Sequence, residues 1–507
     1  MNRERATAAL LAALAACFAA WILHGVAAAA PVGSFYDDGF YVALARSMAT
    51  GGGFHTANLP GSPPSTHYPP GYPLVLAALW HFAAFPAVLE TYLLFNALCM
   101  GAIAAGAYWL SRRVLLLSSA ISVAIAIAGA VSIPPMLLGA VVLSESLFLA
   151  LLLPLLAIAE RVTQRAGVRG AMLLALAAGA ATLVRTQGIA LLPAIALMYV
   201  LHGRRRESLA YSATFIFVML PWLLWQHAYG SVVAPEIRGQ YEPYSAWLAA
   251  GLREGGPGFL WQVIGLNLRS AMEIIVRPLA VSSAGIARAV ALLAVLATTI
   301  AGVVAWRRRA PVSLLFLAAY LAMVIAWPFS PLRFIWGAWV LVLLLLGAGV
   351  HALRTEGPRT LRAIGTTAGV ILFAGGLMFS IRGYALGWWR PVNAHDAARF
   401  TEATGWIASH VPKGDVVATE SEAAVTLYTG RKAVPVTSFT AAEYIRHRTP
   451  AENVTILDRI ITAHDAKWVV VMDGAMRSVS RALTTGPSPR LMRVDSTASL
   501  EAFRRLR

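Results

Sequence analysis

A chain of 507 residues that is 58% hydrophobic and only 13% charged, with a mean hydropathy of +0.66, has too little polar surface to coat a water-soluble body. Its net charge of +17 comes almost wholly from arginine, the only lysines being Lys413, Lys432 and Lys467, and the arginines cluster in short segments between apolar runs. That pattern marks membrane orientation and gives no reason to expect a nucleic-acid partner. Cys17 and Cys99 lie in apolar runs without metal or disulfide spacing, which removes thiolate metal sites and disulfide frameworks from consideration.

The first apolar run, Ala6 to Val26 behind Arg3 and Arg5, ends near a small-residue stretch that resembles a signal-peptidase site. Its length exceeds the roughly 7 to 15 residues of a signal h-region, so it reads as an uncleaved span. A crossing needs about 20 apolar residues. Runs of that kind lie near 6–28, 88–110, 114–132, 137–158, 170–185, 187–202, 208–228, 285–305, 311–327, 333–350 and 362–381. These predict an α-helical polytopic membrane protein with about eleven spans. With the N-terminus inside, the loops SRRV, ERVTQRAGVR, HGRRRES, WRRRAP and HALRTEGPRTLR all fall on the cytoplasmic side. The run YPLVLAALWHFAAF at 72–85 is cut short by Pro69, Pro70 and Pro86, and a crossing there would reverse every later arginine loop. It reads as a helix packed at the outer membrane surface or dipping into it. The fifth and sixth spans form a hairpin broken at RTQG, since fusing them would put Arg204 to Arg206 outside.

After Ile381 the composition shifts to amphipathic helices alternating with short strands such as DVVAT and WVVVMD. The organisation expected is a membrane domain over 1–385, with residues 31–87 as a first extracytoplasmic loop carrying juxtamembrane helices, followed by a soluble α/β domain over 386–507 on the outer face. The chain would then be a multi-pass protein of the inner (plasma) membrane with a cytoplasmic N-terminus.

Ionisable residues near the outer ends of the spans are the candidates for chemistry. Asp37 and Asp38 open DDGFYVALARSMA just beyond the first span. An acid there can cap a helix, which explains one of the pair better than both. Glu145 in LSESLF is expected about two turns inside the outer end of the fourth span. An ionised carboxylate at such depth costs about 2.5–3.5 kcal/mol, so it should pair with a cation or line a cavity. Arg185 in LVRTQG and Arg333 in PLRF fall at outer helix ends. All five groups are expected to gather in one extracytoplasmic pocket, where acids offer a general base or a metal site and guanidinium forks suit a phosphate.

The order of these features resembles the GT-C glycosyltransferases: a first span, an acidic pair with Tyr41 four residues after Asp37, then HYPPGYPLVLAALW, LSESLF, LVRTQG and PLRF. Among them it looks like the bacterial relatives of protein O-mannosyltransferases and of lipid A aminoarabinose transferases, in the manner of glycosyltransferase family 39. LYTGRKAVP in the tail looks like the C-terminal domains of such enzymes. The resemblance implies inverting transfer of a sugar from a polyprenyl-phosphate donor to a glycan, lipid or protein acceptor. It implies that Asp37 is the base, that Arg333 holds the carrier phosphate, and that Arg185 lies near the same pocket. The second acid of the family's pair is commonly Glu, and here it is Asp38, which leaves that residue to cap the helix or to position substrate or metal. Some members use a divalent metal, for which Asp38 and Glu145 would be the ligands, and others use none. His67 and Tyr68 are candidates to line the sugar site. The alternative from another class is a transporter or lipid-carrier flippase, expected to show midplane ionisable groups or paired broken helices.

Overall fold

The computed structural model describes residues 2–33, 35–485 and 487–506. Among them nine helices are long and apolar enough to cross a membrane: Arg3–Ala29, Val88–Arg113, Ser119–Gly139, Glu145–Arg165, Arg205–Tyr229, Phe259–Leu279, Gly285–Arg309, Trp339–Glu356 and Arg359–Ala385. Three shorter apolar helices, Val168–Val184, Thr186–Leu201 and Pro311–Ala326, coincide with the remaining expected runs. The segment Gly71–Phe82 is also a short helix, in keeping with a run that stops short of a crossing.

Phe259–Leu279 was not among the expected spans, because Gln262, Asn267, Arg269 and Glu273 interrupt its apolar pattern. Asn267 has a structural task. Its fully buried amide donates to the carbonyls of Ile325 at 3.0 Å and Trp327 at 2.7 Å, satisfying carbonyls that the end of helix Pro311–Ala326 leaves open. The helix ends at Leu279, whose carbonyl lies so near Gly375 that a Cβ there would meet it at 1.8 Å. Gly375 is near the middle of Arg359–Ala385, so Leu279 stops level with the middle of that neighbour.

A second difference concerns Glu145, which is the first residue of its helix and does not lie two turns inside it. Pro134 and Pro135 interrupt the span Ser119–Gly139, so that its end forms the short helix Ile133–Gly139, and the chain then breaks before Glu145. The break is stabilised by the buried Asn96, whose amide donates to the carbonyls of Gly139 at 3.0 Å and Val141 at 2.9 Å.

The chain divides into two compact units. The first comprises Met1–His24, Leu93–Pro221 and Ile264–Arg390. Its helices approach closely where side chains are small. A Cβ on Gly349 would stand 1.8 Å from the carbonyl oxygen of Thr298, so Trp339–Glu356 and Gly285–Arg309 touch backbone to backbone. Glu160, buried in Glu145–Arg165, accepts from the backbone N–H of Val312 at 3.2 Å and of Ser313 at 2.7 Å, and so holds the start of Pro311–Ala326.

The second unit comprises Gly25–Tyr92, Trp222–Val263 and Pro391–Arg507. Its centre is a five-stranded sheet made from β1 (Val416–Thr419), β2 (Ala433–Pro435), β3 (Ala466–Val471), β4 (Leu491–Ser496) and β5 (Glu501–Arg505), in the order β2-β1-β3-β5-β4. The strand β1 pairs in parallel with β2 and β3, while β5 runs antiparallel to β3 and β4. Trp406, Ile407, Val417, Val425, Trp468, Val470 and Ala502 fill the core on one side. The segment near Asn58 joins the sheet edge: the N–H of Ala433 donates to the Asn58 carbonyl at 2.8 Å, and Lys432 Nζ reaches the Ala57 carbonyl at 2.6 Å.

Candidate active site

In the second unit, helix Asp37–Ala49 carries both acids in its first turn, where the helix dipole favours negative charge. The two face different surroundings. Asp37 is half-buried, and its Oδ1 accepts the Tyr68 hydroxyl at 2.7 Å. Tyr41, one turn along, brings its ring to 4.9 Å from those of both Tyr68 and Tyr72, and Phe40 lies 5.9 Å from Tyr68. An aromatic shell thus stands beside the Asp37 carboxylate. Burial, then the Asp37 charge, pushes the Tyr68 phenol well above its ordinary range, so it remains a donor.

Asp38 turns inward and is 4% exposed, with Oδ2 accepting the Gly33 N–H at 2.8 Å. Burial pushes its carboxyl up to about 6, against the opposing pull of that N–H. His67 Nδ1 lies 2.7 Å from the Glu242 carbonyl oxygen, which can only accept, so the proton sits on Nδ1. Burial pulls the His67 pKa down, leaving a neutral ring with Nε2 as an acceptor. The ring centroid is 4.7 Å from that of Tyr68.

The turn before Asp37 brings in residues that sequence patterning did not suggest. Tyr36 has φ 69° and ψ −71°, and the Asp37 N–H donates to the Phe35 carbonyl at 3.0 Å, which together form the strained type of γ-turn. The Tyr36 hydroxyl donates to Glu422 Oε1 at 3.0 Å, and the Tyr241 hydroxyl donates to the same oxygen at 2.8 Å. Asn58 in turn donates to the Tyr241 hydroxyl at 2.8 Å. Glu422 is completely buried, and burial pushes its carboxyl up to about 7.

In the first unit, three of the expected residues come together. Helix Val168–Val184 ends at Arg185, whose backbone is extended, as the hairpin reading of RTQG requires. The Arg185 guanidinium lies 3.0 Å from Glu145 Oε2 and donates to Ser144 Oγ at 3.0 Å. Arg333, in the short helix Leu332–Gly337, donates from Nε to Glu145 Oε1 at 2.5 Å. Side-chain exposure is 2% for Glu145, 6% for Arg185 and 16% for Arg333. Phe334 lies under the Arg185 guanidinium at 5.9 Å, and the Tyr320 hydroxyl donates to the Phe334 carbonyl at 2.7 Å. Glu145 therefore pins two guanidiniums, and its place at a helix N-terminus adds the dipole's support for its charge.

The surroundings of Glu145 do not fit a divalent metal. Two guanidiniums at contact distance occupy and neutralise the carboxylate where a cation would coordinate. Among the described residues no group of three or more His, Cys, Asp or Glu side chains could hold a metal ion. The Asp38 carboxylate is committed in part to the Gly33 N–H.

No family model matches the sequence, and no curated protein matches it significantly. The structure is similar to the crystal structure of ArnT from Cupriavidus metallidurans bound to undecaprenyl phosphate, with 12% identity and a TM-score of 0.56 over 97% of this chain and 97% of that one. It is similar to ArnT from the same organism in the apo state, with 12% identity and a TM-score of 0.50 over 92% of each chain. It also matches the apo oligosaccharyltransferase of Archaeoglobus fulgidus, with 11% identity and a TM-score of 0.50 over 90% of this chain and 69% of that one. At such identities the similarity speaks for architecture alone: the chain has the GT-C fold of these membrane glycosyltransferases, the fold that the order of its motifs resembles.

Proposed function

We propose that this protein is a membrane glycosyltransferase that moves a sugar from a polyprenyl-phosphate-linked donor to a glycan, lipid or protein acceptor at the extracytoplasmic face, with inversion at the anomeric carbon. The observation that carries the reading is the setting of Asp37: a half-buried carboxylate on a helix outside the candidate spans, hydrogen-bonded by Tyr68 and flanked by aromatic rings of the kind that pack against sugars. The GT-C architecture, which ArnT bound to undecaprenyl phosphate also has, supports a polyprenyl carrier as the lipid partner.

In the proposed reaction the acceptor's hydroxyl oxygen attacks C1 of the sugar from the side opposite the phosphate. Asp37 takes the hydroxyl proton as the new C1–O bond forms. The bond from C1 to the phosphate oxygen breaks, and its electron pair leaves with the polyprenyl phosphate. Arg333 and Arg185 hold that phosphate through guanidinium forks, while Glu145 keeps the two forks in place. Tyr41, His67 and Tyr68 line the sugar side. A single displacement of this kind inverts the anomeric centre, and no step passes through a metal.

Orientation is proposed from the arginine loops: the N-terminus is cytoplasmic and the tail lies outside, in a bacterial inner membrane. Phe259–Leu279 then enters the membrane without completing a crossing, consistent with its stop against the middle of Arg359–Ala385. Reporter fusions to the tail test this directly. To test the activity, purified protein in lipid nanodiscs is given undecaprenyl-phosphate sugars radiolabelled in the sugar, with cell-envelope extract as acceptor. Release of undecaprenyl phosphate that depends on Asp37 supports transfer. Movement of the intact lipid without cleavage would replace this reading with a flippase.

A further inference from the structure

We infer that Glu422, supplied by the tail, is a positioning residue for Asp37: by accepting the phenol hydrogens of Tyr36 and Tyr241 it holds the backbone turn that aims the Asp37 carboxylate. The inference rests on the reading of Asp37 as the base.

The turn at Tyr36 needs a restraint. A tyrosine at φ 69° and ψ −71° occupies a conformation that side chains with a Cβ adopt only under strain, and relaxation would rotate the peptide that precedes Asp37. Local backbone hydrogen bonds run from the Tyr36 N–H to the Gly33 carbonyl at 3.2 Å, from the Asp37 N–H to the Phe35 carbonyl at 3.0 Å and from the Gly39 N–H to the Tyr36 carbonyl at 3.1 Å. A further hold, from outside the local segment, is on the Tyr36 side chain. Its hydroxyl is fixed at 3.0 Å on Glu422 Oε1, and its ring lies 5.0 Å from that of Phe40. Tyr241 braces the same oxygen at 2.8 Å and meets Phe40 edge-on at 5.5 Å.

Glu422 is itself held against the catalytic helix. It begins the helix Glu422–Thr429, which packs on both sides of the turn. Upstream, Gly33 has φ +94°, and a Cβ on it would come within 2.2 Å of the Ala424 Cβ; downstream, a Cβ on Gly39 would lie 3.5 Å from the Ala423 Cβ. The Val32 N–H donates to the Tyr428 hydroxyl at 3.1 Å, and Arg46 donates to the Leu427 carbonyl at 3.4 Å. A helix of the tail thus packs against the segment leading into Asp37–Ala49, at Val32 and Gly33, and against that helix from Gly39 to Arg46 in its last turn. The only acid it directs into that contact ends on the two phenols that fix the turn. This gives the tail a task in the reaction, through the aim of Asp37.

The test uses full-length protein in nanodiscs, with radiolabelled undecaprenyl-phosphate sugars as donors and undecaprenyl phosphate as a binding probe to count intact sites. Tyr36→Phe and Glu422→Ala should lower kcat per counted site by on the order of 10²-fold, as for a displaced catalytic group, with KM for the donor unchanged. Glu422→Gln, whose amide oxygen accepts the same two hydrogens, should restore most of that loss. A fall in the number of sites with kcat per site intact would mean a merely structural role and overturn the inference. So would full kcat per site in both Tyr36→Phe and Glu422→Ala while Asp37→Asn is inactive, an outcome that leaves the base reading standing. Unchanged turnover in Asp37→Asn would overturn the base reading itself. If Glu422→Ala does not fold, Tyr36→Phe, which removes a single hydroxyl, decides the question.

Discussion

Replacing Glu422 by Gln should change how the stability of the protein depends on pH. The buried carboxyl is pushed from its usual 4.5 up to about 7, chiefly by burial, with the Tyr241 and Tyr36 hydroxyls and Gln240 pulling the other way. In the unfolded chain the group ionises near its ordinary value. Between roughly pH 4.5 and 7 the folded state therefore still holds a proton that the unfolded state has released, and stability falls as pH rises. Above the folded pKa both states are ionised and the loss is complete; below the unfolded pKa both are protonated and there is none. At about 1.4 kcal/mol per unit, the gap amounts to on the order of 3 kcal/mol across the window. Asp38 and Glu420, pushed up to about 6 and about 7, slope the same way, so the informative quantity is the difference between wild type and Glu422→Gln. Thermal unfolding of both proteins, followed by tryptophan fluorescence from about pH 4.5 to 8, should show the wild-type Tm falling relative to the variant up to about pH 7 and running parallel above it. A difference in Tm that is flat across the range, or that grows in favour of wild type with pH, would refute the assignment of a protonated, buried Glu422.

Arg185→Ala should destabilise the protein by about 3–5 kcal/mol, because it removes a buried partner of Glu145, and adding Glu145→Gln should recover part of the loss in a thermal melt. Arg333→Lys should weaken undecaprenyl phosphate binding by about tenfold or more in a lipid-binding titration, since an ammonium cannot supply the planar fork; equal affinity would argue against a role for Arg333 in holding phosphate. Gly349→Ala should cost at least about 1–3 kcal/mol, because its Cβ would meet the Thr298 carbonyl at 1.8 Å and backbone has little room to give; an unchanged Tm would contradict the close helix contact.

Features written in local sequence were legible, and those made by distant contacts were not. The helix Asp37–Ala49 follows from an acidic start and an apolar run, and the break at Arg185 from the pairing of RTQG with the arginine loops. Glu145 was expected two turns deeper because LSESLF sits inside a long apolar run in which no glycine or proline next to it marks a helix start. The bond pattern that ends the preceding helix comes from Asn96, more than forty positions away. Phe259–Leu279 escaped notice because Asn267, a polar residue in an apolar run, serves another helix's end. The hairpin of β4 and β5 was hidden by its charged residues, which break the apolar alternation: Arg493 and Arg504 are exposed, while Glu501 is buried. Glu422 was the least accessible of all. It meets Tyr36 across 386 positions, and nothing in EAAVTLYT marks it as anything but the start of a helix.

The reading stands or falls with Asp37. Purified wild type and Asp37→Asn, in nanodiscs of equal lipid composition, should be compared for the first-turnover release of radiolabelled sugar from undecaprenyl phosphate. Removing the base should slow that release by about 10²–10⁴-fold while donor binding persists. Release at the wild-type rate from Asp37→Asn would contradict the account at its centre.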